Sequence, residues 1–166
     1  MCGRYQVMTE DGTLRDVFPS EAMEVLTVQG VQEMRWGFTV PGVKRLLINA
    51  RSESAGGKLT FQGLMRTQRC LIPADGFYEW DTQKQPHTYR ERQGHKMYFA
   101  GLYRQEEDGN LHFVILTRAA NPLIAAVHPR MPCLLGSEEY RDLWLHSDAL
   151  APMLLGMDHD AVEEST

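Results

Sequence analysis

Arg69-Cys70-Leu71-Ile72-Pro73-Ala74-Asp75-Gly76-Phe77-Tyr78-Glu79-Trp80 is the stretch on which the fold reading turns. Residues 70–72 and 76–80 are short apolar or aromatic runs on either side of a Pro-Ala-Asp turn signal, and runs of this length bounded by such residues read as strands. The pattern continues outward in both directions. Upstream, residues 25–28 form a short strand candidate, residues 34–38 alternate bulky and polar side chains, and residues 46–49 run from apolar into polar chemistry. Downstream, residues 87–90 and 97–102 are expected to pair across Arg92-Gln93-Gly94. Residues 97–103 and 112–116 are expected to pair across Glu107-Asp108-Gly109-Asn110, a good turn sequence. Helices are fewer: residues 59–66; residues 121–127, with Pro122 suited to a first turn; residues 137–145, capped by Ser137 with two glutamates behind it; and residues 148–155, stopped by Gly156. The expected fold is α+β, a curled, barrel-like and mainly antiparallel β-sheet with a few peripheral helices.

The chain's 166 residues suffice for one domain with a real core, and 43% apolar against 23% charged residues is a globular balance. No apolar run is long enough to cross a bilayer and no secretory signal is legible, so a cytoplasmic protein is expected, with no membrane partner. Cys2, Cys70 and Cys133 are too few and too far apart for a disulfide framework, and the six histidines are scattered, so neither a metal nor a cofactor is expected. The net charge of −5 argues against a nucleic-acid binder, but residues 138–166 hold eight acids and one arginine, which leaves residues 1–137 at +2. The expected organisation is one domain over residues 1–156 and an acidic, frayed tail over residues 157–166.

Four segments carry chemistry. Met1-Cys2-Gly3-Arg4 places a small residue after the initiator, which permits loss of Met1. Cys2 would then own an α-amine and a thiol, both ionising near neutral pH, and such a 1,2-aminothiol closes on an aldehyde to a thiazolidine. Cys2 also reads as an ordinary residue near a chain end. In Ile48-Asn49-Ala50-Arg51-Ser52-Glu53, the alternation of a strand would put Asn49, Arg51 and Glu53 on one face, where Arg51 forks onto a phosphate or simply pairs with Glu53. Glu79 lies among aromatics that would raise its pKa into the acid–base range, and Trp80 offers a stacking surface; the same aromatics also suit a core, with Glu79 in water. His128, in His128-Pro129-Arg130-Met131-Pro132, is either a proton carrier on a stiffened loop or a solvated histidine.

Taken in order, Met1-Cys2-Gly3-Arg4, Arg35-Trp36-Gly37, Ile48-Asn49-Ala50-Arg51, the 69–80 block, Ile115-Leu116-Thr117 and His128-Pro129-Arg130-Met131-Pro132 resemble the SOS response-associated peptidase family, also called abasic-site processing proteins. The resemblance spans Cys2 to about Trp144. It implies a barrel-like sheet, self-removal of Met1, and a covalent thiazolidine between Cys2 and the ring-opened abasic sugar of single-stranded DNA. By the same resemblance Asn49 holds the Cys2 amine, Glu79 serves general acid–base steps, and His128 assists ring opening and proton transfer. Arg4, Arg51 and Arg130 contact phosphates, Trp36 and Trp80 lie against bases, and Pro19 is a wedge at a duplex junction. The protein would act as a monomer, associated with the nucleoid when bound to DNA. The family's C-terminal strand region has no legible counterpart in the acidic tail. A different chemistry fits the same inventory, an N-terminal-nucleophile cysteine amidohydrolase acting on a small-molecule amide. So does a single-strand-binding module in which Cys2 is incidental.

Overall fold

A computed structural model describes residues 2–157 and 161–165. In chain order the elements are Tyr5–Met8 (β1), Leu14–Val17 (β2), Ala22–Thr27 (β3), Gly30–Trp36 (β4), Phe38–Val40 (β5), Val43–Leu47 (β6), Asn49–Arg51 (β7), Ser52–Ala55 (α1) and Gln62–Thr67 (α2). They continue through Arg69–Ala74 (β8), Gly76–Trp80 (β9), Pro86–Glu91 (β10), Met97–Gln105 (β11), Leu111–Ala119 (β12), Pro122–Ala125 (α3), Arg130–Pro132 (β13), Glu138–His146 (α4), Ala151–Leu154 (α5) and Val162–Ser165 (β14).

Strands β11, β8, β3, β4 and β12 pair in that order, and β12 pairs back onto β11, so five strands close on themselves as a barrel. Strands β7 and β13 add to β12 outside this ring. The pairings are antiparallel except that β4 and β7 run parallel to β12. A second sheet has the order β14-β10-β9-β1-β2, and β5 and β6 form a separate hairpin.

Three of the barrel strands, β8, β11 and β12, read as nearly unbroken apolar runs because both faces are covered. On β8, Cys70 and Ile72 join one buried cluster and Leu71 joins another; on β12, Phe113 and Ile115 divide from Val114 and Leu116 in the same way. The first cluster holds a chain of touching rings. Phe113 stacks on Trp36 (6.2 Å), Trp36 meets Tyr5 (5.2 Å), Tyr5 meets Phe99 edge-on (5.8 Å), and Phe99 meets Phe77, which lies against Tyr89. This chain ties the barrel to the second sheet through side chains that water does not reach. The second cluster is closed by α4 and α5, with Trp144 fully buried and its indole N–H donated to Cys70 O at 2.8 Å. Two glycines are required by space. A Cβ on Gly101 would lie 2.4 Å from Ile72 Cδ1 and 2.7 Å from Val114 O, inside the barrel wall. Gly37, at φ +119, turns the chain from β4 into the β5–β6 hairpin.

Several local expectations are corrected. Residues 92–96 do not close a hairpin: β10 pairs with β9 and β14, while β11 pairs with β8 and β12, so this turn carries the chain from one sheet to the other. Asp75 does the same between β8 and β9. A turn signal is local and does not say which partner the next strand will take. The strand through Asn49 stops at Arg51, and Glu53 lies on α1 instead of alternating with it. The helices expected over 59–66, 121–127 and 148–155 shrink to α2, α3 and α5, with Asn121 capping α3 instead of lying within it, whereas Ser137 caps α4 as its position suggests. Residues 162–165 are not frayed. They form β14 antiparallel to β10, with Val162 buried, because its alternation gives the second sheet an apolar edge contact. Residues 158–160 lie outside the described residues.

Candidate active site

Four elements converge on Cys2. The residue precedes β1, which is fixed between β2 and β9 by the registers Tyr5↔Val17 and Tyr5↔Phe77. The Tyr78 N–H donates to Arg4 O at 3.1 Å, and the Cys2 thiol faces the same carbonyl at 3.7 Å. This places Cys2 beside the strand that carries Glu79. From the opposite side, β7 brings Asn49, whose Nδ2 donates to Cys2 O at 3.0 Å. The Asn49 Oδ1 is buried and has no hydrogen-bond partner among the described residues. The loop after α3 brings His128, with its Nδ1 3.5 Å from Glu79 Oε2. The four residues singled out for chemistry therefore share one place, although 126 positions separate the ends of the set in sequence.

The protonation pattern follows from burial. Cys2 is fully buried, and desolvation, reinforced by the Glu79 charge, pushes its thiol far above the ordinary range. Glu79 is also fully buried, and desolvation lifts its carboxyl to about 7. His128 is a quarter exposed on its side chain, and partial burial lowers its pKa. The His128 Nδ1 lies 3.0 Å from the Arg130 backbone nitrogen and 3.2 Å from the Arg130 carbonyl oxygen, so the loop backbone holds the ring in place. At neutral pH the site thus holds a thiol, a neutral imidazole and a carboxyl poised between its two forms.

The side chains expected at the DNA are placed unevenly. Arg4 is caged: its guanidinium lies 4.8 Å from the Phe18 ring, 5.0 Å from Tyr78 and 5.3 Å from Trp80, with Asp16 at 3.9 Å. Trp80 stacks on Tyr78 (5.9 Å) and is half-buried. Pro19 belongs to the tight turn 18–21 and lines an open, largely apolar groove of about 600 Å³ that leads past Ile48 to Asn49. Arg51 is exposed, and Arg130 holds Glu53 at 2.9 Å and Thr117 O at 2.9 Å. Trp36 is a correction. It is fully buried in the ring chain, with its indole N–H donated to Ile48 O at 3.1 Å, so it supports the site from beneath and has no face for a base.

The sequence reading missed Phe18, Asp16 and Thr117. The only signal for Phe18 was its place before Pro19. Thr117 was quoted in a motif but given no role; its register opposite Arg51 and Pro132 is what lets β12 bring Arg51 and Arg130 together. Among the described residues no cluster of His, Cys, Asp or Glu is arranged to hold a metal ion, and no helix is long and apolar enough to cross a membrane.

Comparison with known proteins supplies the context. The model of the SOS response associated peptidase family matches residues 16–163. An abasic site processing protein of Bacillus subtilis, YobE, is 34% identical over 149 residues, covering 79% of this chain and 68% of the relative. A second from the same organism, YoqW, is 29% identical over 98% of this chain and 90% of its own length. Two crystal structures of Bordetella bronchiseptica proteins, one described as phage-related, superpose with TM-scores of 0.80 and 0.79 at 24% identity, each covering 99% of this chain and 98% and 93% of theirs. These structures share the fold. With most of its length matched by the family model and by a relative above 30% identity, the chain belongs to the SOS response-associated peptidase family.

Proposed function

We propose that this protein processes abasic sites in single-stranded DNA, and that it does so by losing Met1 and bonding Cys2 covalently to the sugar aldehyde. The observation that carries the reading is the convergence on Cys2 of Asn49, with a buried oxygen that has no partner among the described residues, and of Glu79, with a carboxyl at about 7. The names of the relatives, abasic site processing proteins, point the same way.

The steps balance without a cofactor. Once Met1 is hydrolysed off, the Cys2 nitrogen is an amine, and the Asn49 Oδ1 is an acceptor suited to hold it. The amine lone pair adds to the C1′ aldehyde, and the nitrogen's proton passes to the new alkoxide to give a carbinolamine. Protonated Glu79 gives a proton to that hydroxyl, which leaves as water while the C=N bond forms. The nitrogen keeps its remaining hydrogen, so the C=N species is an iminium; the thiol sulfur adds to its carbon, the thiol proton returns to the Glu79 carboxylate, and the five-membered ring closes. His128, neutral and beside Glu79, takes the proton of the C1′ hydroxyl as the C1′=O bond forms and delivers it to the ring oxygen as the bond from C1′ to that oxygen breaks. A carboxyl near 7 suits both directions of this traffic, since comparable fractions of acid and base are present.

The burial that keeps the Cys2 sulfur a thiol favours this amine-first order over the amidohydrolase reading, which begins with a thiolate. Incubation with a single-stranded oligonucleotide bearing one abasic site, followed by heating and a denaturing gel, tests the proposal. A heat-stable band that is absent in Cys2→Ala is the expected result. No band from protein whose first residue is verified as Cys2, together with turnover of small amides, would replace it with the amidohydrolase.

A further inference from the structure

The exposed side of the site contains a carboxylate where an arginine pair would receive a phosphate. Arg130 Nη2 lies 2.9 Å from Glu53 Oε2 and 3.1 Å from Glu53 Oε1, and the Arg51 Nε lies 3.9 Å from the same group. Both oxygens of Glu53 thus face guanidinium groups, as two phosphate oxygens would. On its inner side Arg130 is fixed by Thr117 O at 2.9 Å and Thr117 Oγ1 at 3.2 Å, so its position does not depend on Glu53 alone. The Glu53 side chain is 53% exposed and that of Arg130 only 15%, which makes the carboxylate the movable member of the pair. The Arg130 backbone also holds His128, so events at this pair occur two residues from the site.

We propose that Glu53 is a resident phosphate mimic: it fills the anion position at Arg130 and Arg51 until a DNA phosphate displaces it, and so keeps the affinity for undamaged single strands low. The proposal rests on the reading of Arg51 and Arg130 as strand contacts. Its physical content is competition. A phosphate reaching Arg130 must push aside a like charge, and the free arginine it gains is partly offset by the salt link it breaks. Weak non-covalent binding costs such a protein little, because the covalent bond to the aldehyde supplies retention at the lesion, whereas intact strands are released.

Glu53→Gln removes the charge, keeps the shape, and lies at an exposed position where folding is not at stake. The measurement is fluorescence anisotropy of the full-length protein with a labelled single-stranded oligonucleotide that contains no abasic site, over a salt series. The variant is expected to bind roughly three- to tenfold more tightly at low salt, with a log–log salt slope steeper by about 0.7, one additional single-strand phosphate contact. In the double variant Glu53→Gln/Arg130→Ala the gain should disappear. Unchanged or weaker binding by Glu53→Gln overturns the proposal, and so does a gain that persists without Arg130, which would be a general charge effect. Crosslinking to an abasic oligonucleotide, run on the same samples, separates the two claims. Its absence in the unsubstituted protein defeats the Cys2 chemistry and leaves the phosphate competition to be decided by the anisotropy.

Discussion

Of the histidines that face carboxylates in this molecule, His112 and His128 do different things. His112 on β12 is nearly buried, with Nδ1 2.8 Å from Gly37 O, Nε2 2.8 Å from Asp108 and Glu106 at 3.5 Å. Both ring nitrogens are committed to pinning the Gly37 bend to the β11–β12 turn, and Glu106 is itself engaged by Arg104 and by the Thr39 N–H. His128 instead faces Glu79, a carboxyl that burial has lifted to about 7. A His–acid pair becomes a proton relay when the affinities of its members meet near the working pH; surrounded by cations and backbone donors, the same residue types become a clasp. Neither composition nor spacing distinguishes the two pairs in the sequence.

The largest difference expected between them is kinetic. Glu79→Gln should slow covalent capture of an abasic oligonucleotide by roughly 100-fold or more, the ordinary scale of a lost acid–base group, as read from single-turnover gels. Glu106→Gln should leave that rate within about twofold and instead lower the thermal midpoint, costing on the order of 1–3 kcal/mol at a buried salt-linked clasp. Equal effects of the two substitutions on rate would erase the distinction.

The next effect is on stability against pH. Glu79 ionises near 4.5 in the unfolded chain and near 7 in the folded one, so the folded state holds its proton more tightly, and its contribution to stability falls as pH rises from about 4.5 to about 7. The fall is on the order of 3 kcal/mol. His128 acts oppositely, since its lowered pKa penalises folding at pH values below the ordinary histidine range. Urea melts of the protein and of Glu79→Gln across this window, subtracted from one another, isolate the Glu79 contribution. A difference that is flat with pH would place Glu79 in water and end the relay argument.

A structural prediction sharpens the role of Trp36. Trp36→Ala should cost about 3–5 kcal/mol through the cavity it leaves in the ring chain, whereas Trp80→Ala should cost less stability and lower single-strand affinity, by about 1–3 kcal/mol for a lost stacking surface. Thermal melts and anisotropy on the same pair of variants decide it. The smallest effect belongs to Arg51→Ala. Its exposed 3.9 Å contact to Glu53 predicts at most about 1 kcal/mol of stability, with any further loss appearing in the salt dependence of DNA binding.

What the sequence made legible follows from the range of its signals. Strand content, Pro122 in the first turn of α3, the cap at Ser137, and the β11–β12 hairpin are local, and they were readable. Which sheet a strand joins was not, because β8, β11 and β12 are apolar on both faces and carry no alternation to mark a side. The tail misled for a related reason: Val162 is a single apolar residue among acids, and only its register against β10 makes it part of the core. At the site, residue types identified Cys2, Asn49, Glu79 and His128 together with the resemblance. The cage of Phe18, Tyr78 and Trp80 around Arg4, and the grip of Glu53 on Arg130, depend on contacts that span the chain.

The central claim, that Cys2 becomes a terminal aminothiol and captures the abasic aldehyde, is tested most directly by intact mass spectrometry of the protein with and without a single-stranded abasic oligonucleotide. The account predicts a protein lighter by one methionine residue. It also predicts an adduct equal to that protein plus the oligonucleotide less one water, stable to heat and missing in Cys2→Ala. A correctly processed N-terminus that gives no adduct, or an adduct that survives Cys2→Ala, would contradict it.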